Sequence, residues 1–168
     1  MSPYLVDTNF FISAYRIGFP IDVVPTYWEK VKEMAANGDI ISIDKVKNEI
    51  YQNEDDLKRW CEANLPQDFF KKSLRYAKDI AAYTRIVEWA NSKINSPYSQ
   101  AALNTFLDAD EADAFLVTYA TANGYCIVTN EVSAPDSKKI IKIPDVCIAL
   151  NVPYLQSMAM LRALGVKI

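Results

Sequence analysis

Four acidic residues that lie far apart in the sequence are the side chains on which we expect the chemistry of this chain to depend. They are Asp7, Glu49, Asp113 and Glu131. The sequence contains 0 histidines, which excludes a Ser-His-Asp triad, a Cys-His pair and a His-ligated zinc ion. Catalysis would therefore depend on carboxylates, on Lys, Tyr, Ser or Thr side chains, or on a metal ion.

Short apolar strands that alternate with helices must position these acids. Strands are predicted at 3–7, 40–43, 125–129 and 140–143. Helices are predicted at 8–15, 25–37, 44–50, 55–65, 73–92, 97–107, 110–123, from 144 onward and at 155–164. The pattern predicts an α/β fold, with a central, mostly parallel sheet in a three-layer α/β/α arrangement. We expect residues 1–168 to form a single domain.

The strand ends should bring two of the acids together. In a parallel sheet the carboxyl ends of the strands lie along one edge, where ligand sites form. Asp7 ends the first predicted strand, and Glu131 lies just past the strand at 125–129. We therefore expect these two carboxylates to share that edge.

The helices should bring the other acids to the same edge. The helix at 110–123 precedes a strand and runs antiparallel to it, so its first turns lie near that strand's end. We expect Asp113 one turn into this helix, with Asp110 one turn earlier on the same face. Asp44 is predicted to cap the helix that carries Glu49. At about 1.5 Å rise per residue, Glu49 stays within about 10 Å of the edge.

Carboxylates gathered in one pocket repel each other, and some are forced to take up protons. No Lys or Arg directly neighbours Asp7, Asp113 or Glu131 in the sequence. A divalent cation is the natural counter-charge, and an all-oxygen ligand set favours Mg²⁺ or Mn²⁺ over zinc. Each acid also has a structural alternative: Asp7 as a helix cap, Glu49 as a solvated residue, and the acids at 110–113 as partners of a helix dipole.

Composition limits the other classes of function. The net charge of -3 argues weakly against a sequence-specific DNA-binding protein. The 3 cysteines form no CxxC pair and are expected to be buried, reduced thiols. No apolar run could span a bilayer, and the first residues predict a strand rather than a signal peptide. We therefore expect a cytoplasmic protein with no membrane association.

Two other enzyme classes fit the sequence poorly. An aspartate-based phosphatase also begins with a strand that ends in Asp, but it needs a second Asp where this chain has Asn9. The 4 glycines are isolated, so neither a dinucleotide-binding nor a P-loop signature is present.

Four segments together resemble the PIN domain family. They are residues 4–9 (YLVDTN), 43–50 (IDKVKNEI), 111–120 (EADAFLVTYA) and 127–131 (IVTNE), which match the four acidic motifs in order and spacing. Glu131 stands where aspartate is usual. The segment 143–147 (IPDVC) is similar to one that is conspicuous in a less studied branch of PIN-like toxins.

The resemblance implies a ribonuclease that requires Mg²⁺ or Mn²⁺ and is often the toxin of a toxin–antitoxin pair. Such proteins commonly form homodimers and are silenced by an antitoxin. One ion would bridge Asp7 and Asp113, and Glu49 and Glu131 would hold a second ion or its waters. Cleavage would leave a 5′-phosphate and a 3′-hydroxyl. Five neighbours would orient the carboxylates or the phosphate: Thr8, Asn9, Asp110, Thr129 and Asn130.

RNA needs positive charge near an acidic pocket. Lys138, Lys139 and Lys142 follow the Glu131 loop, and Lys138 and Lys139 are the better candidates for contacts to RNA phosphates. Lys71, Arg75 and Lys78 recur at helical spacing and could form a second basic group, although a solvated face is the more ordinary interpretation of either group. A non-catalytic PIN-like module that binds RNA or a protein remains open as the alternative function.

Overall fold

The computed structural model describes residues 2–168, which form an α/β fold around a five-stranded sheet. The strands are β1 (Tyr4–Val6), β2 (Ile40–Ile43), β3 (Phe70–Lys71), β4 (Cys126–Val128) and β5 (Tyr154–Leu155). All neighbouring strands are parallel, and their order across the sheet is β3-β2-β1-β4-β5. The predicted fold class, with helices flanking a parallel sheet, is therefore confirmed.

The helices are α1 (Thr8–Ser13), α2 (Pro25–Asn37), α3 (Asp44–Tyr51), α4 (Asp56–Asn64), α5 (Ala77–Ser92), α6 (Gln100–Phe106), α7 (Asp113–Asn123), α8 (Ile143–Leu150) and α9 (Ser157–Ala163). A π-helical turn, Ala14–Gly18, continues α1. Within residues 2–168, no helix has the length and apolar composition that crossing a bilayer requires.

The central strands lie inside the protein because their residues are apolar on both faces. Leu5, Val6, Ile40, Ile127 and Val128 are fully buried, as expected for a parallel sheet covered on both sides. Ser42 of β2 is also fully buried, and its hydroxyl donates to the Val6 carbonyl oxygen at 2.7 Å. That hydrogen bond, together with the strand pairing, holds the end of β1 in place.

The edges of the sheet differ from the prediction. β3 and β5 were not predicted, because two-residue strands carry no periodicity that a sequence pattern can reveal. The strand predicted at 140–143 is wrong: Ile143 is instead the first residue of α8, whose first turn contains Pro144. Proline has no N–H for a sheet ladder and favours the first helical turn.

The role predicted for Asp44 is also wrong. Ile43 occupies the cap position of α3, and Asp44 is the first helical residue. Its Oδ1 accepts hydrogen bonds from the backbone N–H groups of Lys45 and Ser73 at 3.0 and 3.1 Å. Asp44 therefore ties the start of α3 to the segment before α5.

Aromatic and sulfur-containing residues behave as core components. Trp28 is buried and packs edge-on against Trp60, with ring centroids 4.8 Å apart. The three cysteines are free thiols; Cys61 and Cys147 are buried and Cys126 is partly exposed.

Candidate active site

An acidic cleft with a volume of about 440 Å³ lies at the carboxyl ends of β1 and β4. It is lined by all four acids in which we predicted the chemistry to reside: Asp7, Glu49, Asp113 and Glu131. Three of the five predicted orienting residues also line it, namely Thr8, Asn9 and Asp110. Thr129 lies beneath the cleft, next to Asp7, whereas Asn130 faces a different cavity. The topology therefore assembles the acids as expected.

Asp7 is positioned by the end of β1. Its backbone N–H donates to the Val128 carbonyl at 3.1 Å, which continues the β1–β4 pairing. Its Oδ1 accepts from the Phe10 backbone N–H at 2.7 Å, so the side chain caps α1. The alternative interpretation as a helix cap is thus correct, and it coexists with the cleft: Asp7 is only 2% exposed and still lines it.

Glu49 connects two helix starts. It accepts hydrogen bonds from the Thr8 hydroxyl and from the Ala112 backbone N–H, the latter at 2.8 Å. Thr8 begins α1, and Ala112 immediately precedes Asp113. Glu49 is therefore not a freely solvated residue of α3, because it holds the two segments that carry Asp7 and Asp113 beside each other.

Asp113 occupies a different place in its helix from the one predicted. It is the first residue of α7, not one turn inside, and Asp110 lies in the preceding turn outside the helix. The prediction that both residues share one helix face is wrong, although both line the cleft. The chain turns at 108–111, where the Asp110 N–H donates to Asp108 Oδ1 at 2.8 Å and prevents an earlier helix start.

Glu131 serves the loop as well as the cleft. Its Oε2 accepts from the Ile143 backbone N–H at 2.8 Å, and its Oε1 lies 3.5 Å from Lys142 Nζ. The carboxylate thus sits at the positive N-terminal end of α8. Asp145 anchors the same loop by accepting from the Ser133 hydroxyl and from the Ala134 N–H.

The electrostatics of the cleft are those of crowded, desolvated carboxylates. Burial raises the pKa of Asp7 to about 7; hydrogen bonds from Thr129 and Phe10 lower it, and the charges of Glu131 and Glu49 raise it further. Burial raises the pKa of Asp113 to about 8, reinforced by the charges of Glu131, Glu49, Asp7 and Glu111. Perturbed pKa values of this kind are typical of functional sites.

Counter-charge from the protein is sparse at this cleft. In the part of the chain that the structure describes, Lys142 pairs with Glu131, but no Lys or Arg forms an ion pair with Asp7, Glu49 or Asp113. Arg16 lines the cleft and likewise forms no ion pair among residues 2–168. When these carboxylates ionise, the protein supplies little positive charge to balance them, and a bound cation would do so.

The donor set suits one kind of metal better than others. Among residues 2–168, no three or more His, Cys, Asp or Glu side chains are grouped closely enough to enclose a metal ion. A closed site such as structural zinc needs such a group. Mg²⁺ differs because it keeps several waters and is commonly held by one or two carboxylates. An open, all-oxygen cleft with Asp7 and Asp113 fits a hydrated Mg²⁺ or Mn²⁺.

The two predicted RNA-binding lysines are both exposed but differ in position. Lys139 lines a small cavity of about 80 Å³ together with Glu111 and Asp113, so it borders the cleft. Lys138 lines neither that cavity nor the cleft, and its carbonyl accepts from the Ser99 N–H at 2.8 Å. The predicted stripe of Lys71, Arg75 and Lys78 is wrong, because Lys71 lies in β3 and only Lys78 lies in α5, and none of the three lines the cleft.

Sequence reasoning missed Arg16 and Glu111 as residues of the cleft, and it placed Lys142 after the Glu131 loop without predicting its contact with Glu131. Glu111 and Arg16 line the cleft, and Lys142 contacts Glu131. Glu111 was within the third acidic motif, so its signal was present. Arg16 lies in the π-helical turn, and no sequence pattern indicated that turn or the position it gives to Arg16.

The comparisons with known proteins identify a family but no function. No curated protein and no solved structure matches the chain significantly. The resemblance to PIN domains therefore stays a prediction. A family model described as "Domain of unknown function (DUF4411)" matches residues 4–168. The chain belongs to the DUF4411 family.

Proposed function

We propose that this protein is a divalent-metal-dependent endoribonuclease of the PIN type. The observation that carries the proposal is the convergence of Asp7, Glu49, Asp113 and Glu131 on one open cleft, where burial and mutual repulsion raise the pKa of two of them. Carboxylates that are costly to ionise in the free protein are suited to a cationic cofactor.

Under this proposal the chain's own residues have distinct tasks. Asp7 and Asp113 would hold Mg²⁺ or Mn²⁺, which supplies an activated water and stabilises charge on the phosphodiester. Glu49 keeps the Asp7 and Asp113 segments in register through Thr8 and Ala112. Glu131 keeps the loop after β4 against α8 and adds negative charge at the cleft.

The biological setting is also part of the proposal. The PIN-like pattern of the four acidic motifs supports the toxin of a toxin–antitoxin pair that acts on RNA in the cytoplasm, forms a homodimer and is silenced by an antitoxin protein. A small open reading frame next to the gene would support the toxin role.

A non-catalytic module that binds RNA or a protein is the second candidate. Both oxygens of Glu49 and both oxygens of Glu131 already have partners within the protein. This observation favours a structural use of these two acids. Metal binding without cleavage would support the second candidate over the first.

The proposal is tested by incubating the purified protein with labelled single-stranded RNA and with tRNA, in Mg²⁺, in Mn²⁺ and in EDTA. We expect cleavage with either metal and none in EDTA, with 5′-phosphate and 3′-hydroxyl ends on the products. Cleavage that persists in EDTA, or no cleavage by a preparation shown to bind Mn²⁺, would contradict the nuclease.

Lys139 is expected to contact RNA phosphate. The Lys139→Glu variant should bind single-stranded RNA more weakly, and the slope of log affinity against log salt should fall by roughly 0.7, the contribution of one phosphate contact. Lys138→Glu tests the neighbouring lysine, which does not border the cleft, and should have a smaller effect. Lys32→Glu, an exposed lysine of α2, is the control for net charge. Equal slopes for the Lys139 and Lys32 variants would reject the contact.

A further inference from the structure

A second cavity, largely apolar, adjoins the acidic cleft. It has a volume of about 220 Å³ and lies between α1, the π-helical turn and α9. Its walls include Phe10, Phe19 and Tyr27, with Ile17 and Met158 at its exposed rim. The rim residues are 83% and 45% exposed, so the cavity opens to solvent.

The two cavities share a wall made of adjacent residues. In three pairs of consecutive residues, one residue lines the acidic cleft and the other lines the apolar cavity. The cleft residues are Asn9, Arg16 and Glu131, and their neighbours in the apolar cavity are Phe10, Ile17 and Asn130. Successive side chains of a helix are offset by about 100° around its axis, so the cleft and the cavity lie on neighbouring faces of α1. A ligand that passes from one face to the next can place an anionic group in the cleft and an apolar group in the cavity.

Two polar groups stand at the apolar cavity. Ser157 is 8% exposed, and within residues 2–168 its buried hydroxyl has no hydrogen-bond partner. Asn130 is exposed, and its Oδ1 accepts a hydrogen bond from the Ser157 backbone N–H at 3.1 Å. This bond fixes the orientation of the Asn130 amide and leaves its NH₂ group available to a ligand. An unpaired buried hydroxyl is unfavourable, and Ser157 is one of the residues that line the cavity.

The size of the cavity limits its occupant. Sites for drug-sized ligands measure about 300–1,000 Å³, and a helix with side chains is about 10 Å across. A cavity of about 220 Å³ is too small for a helix of a partner protein but accepts one ring system. Proteins bind single nucleobases by stacking on aromatic side chains and by hydrogen bonds to the base edges, and the partly exposed Phe19 ring and the Asn130 amide supply these two kinds of group at the cavity.

We infer that the apolar cavity binds one unpaired nucleobase of the substrate, next to the phosphodiester in the acidic cleft. The inference rests on the proposed nuclease function and narrows its substrate to single-stranded nucleic acid, because a base within a duplex cannot enter a separate cavity. Arg16 lines the acidic cleft, precedes Ile17 of the apolar cavity and forms no ion pair among the described residues, so it is placed to contact a phosphate in the cleft next to the bound base.

The test measures binding, so that it does not depend on cleavage. Fluorescence anisotropy with the Asp113→Asn protein would compare a short single-stranded oligoribonucleotide with a series that carries one abasic site at each position in turn. We expect one position at which the abasic site weakens binding about tenfold. In protein that also carries Ile17→Ala and Met158→Ala, the intact oligonucleotide should bind about tenfold more weakly, and that abasic site should have no further effect.

The control is Ile80→Ala, which removes an exposed isoleucine of α5 that lines neither cavity and should keep the wild-type abasic profile. A flat abasic profile, or one that the rim variants leave unchanged, would overturn the inference. A rim variant that changes only the oligomeric state in size-exclusion chromatography would overturn it in favour of self-association. If the wild-type protein cleaves RNA but binding does not depend on the position of the abasic site, only the nucleobase cavity is refuted. If binding depends on that position but no cleavage occurs, only the nuclease function is refuted.

Discussion

Asp113→Asn is expected to lower the rate of metal-dependent RNA cleavage by about a hundredfold to a thousandfold. This is roughly the effect of removing one preorganised electrostatic group from an active site. The substitution keeps the shape of the side chain but removes its charge and one ligand oxygen. Asp113 borders the cleft at the start of α7, and its pKa responds to Asp7, Glu49 and Glu131. The initial rate of cleavage in Mn²⁺ is the quantity to measure.

Asp136→Asn provides the matched control for this variant. Asp136 is an exposed residue of the loop after β4 and does not line the cleft, so the same chemical change there should leave the rate within about twofold of wild type, as for ordinary surface substitutions. Circular dichroism of both variants would show that each retains the fold. Wild-type rates for Asp113→Asn would remove the cleft from the mechanism.

The second large effect concerns the stability of the metal-free protein. Folding raises the pKa of Asp113 from its ordinary value of 3.8 to about 8. The native state therefore binds a proton that the unfolded state releases, and the free energy of unfolding falls as the pH rises from about 4 to about 8. Asp7, with a pKa raised to about 7, acts in the same direction. Asn at position 113 cannot ionise, so the variant avoids this loss.

In EDTA, we thus expect Asp113→Asn to melt above wild type at pH 8. Each unit of pKa shift corresponds to about 1.4 kcal/mol, and even a net gain of about 2 kcal/mol raises the melting temperature by about 4–8 °C for a chain of this size. The difference should shrink steadily toward pH 4. Thermal melts across this range measure it, and a difference that does not vary with pH would contradict the raised pKa.

Addition of Mg²⁺ should reverse the order of the two proteins at pH 8. A metal that binds only the native state at about 100 times its dissociation constant adds about 2.7 kcal/mol. We expect this gain in wild type to fall as the pH drops below 7, because protons compete for Asp7 and Asp113. Asp113→Asn should gain little at any pH. An equal gain in both proteins would place the metal elsewhere.

Much of the site follows from local patterns in the chain. The apolar runs of β1, β2 and β4 and the helices between them are readable because buried parallel strands are apolar on both faces. Once the strands are parallel, their carboxyl ends share one edge, and Asp7, Glu49, Asp113 and Glu131 must approach each other there. The sequence therefore predicted the acidic cleft without any contact being known.

The partners of the acids could not be read in the same way. Glu49 bonds to Thr8 and Ala112, which are 41 and 63 residues distant, and Glu131 bonds to α8 instead of standing free in its loop. Such bonds depend on the distances between packed elements, which no local pattern encodes. For the same reason the first turn of α7 was placed too early.

The sequence by itself thus determined the parallel α/β fold and the common location of the four acids, because strand direction and helix period are local properties. Three features depended on the tertiary structure: the two-residue edge strands, the hydrogen bonds that engage Glu49 and Glu131 with the rest of the protein, and the apolar cavity beside the cleft. Each of these depends on how α1, α9 and the loop after β4 pack, and packing between distant segments is set by the whole core. The substrate-binding properties that we infer are therefore tertiary in origin, whereas the acidic chemistry is visible in the chain.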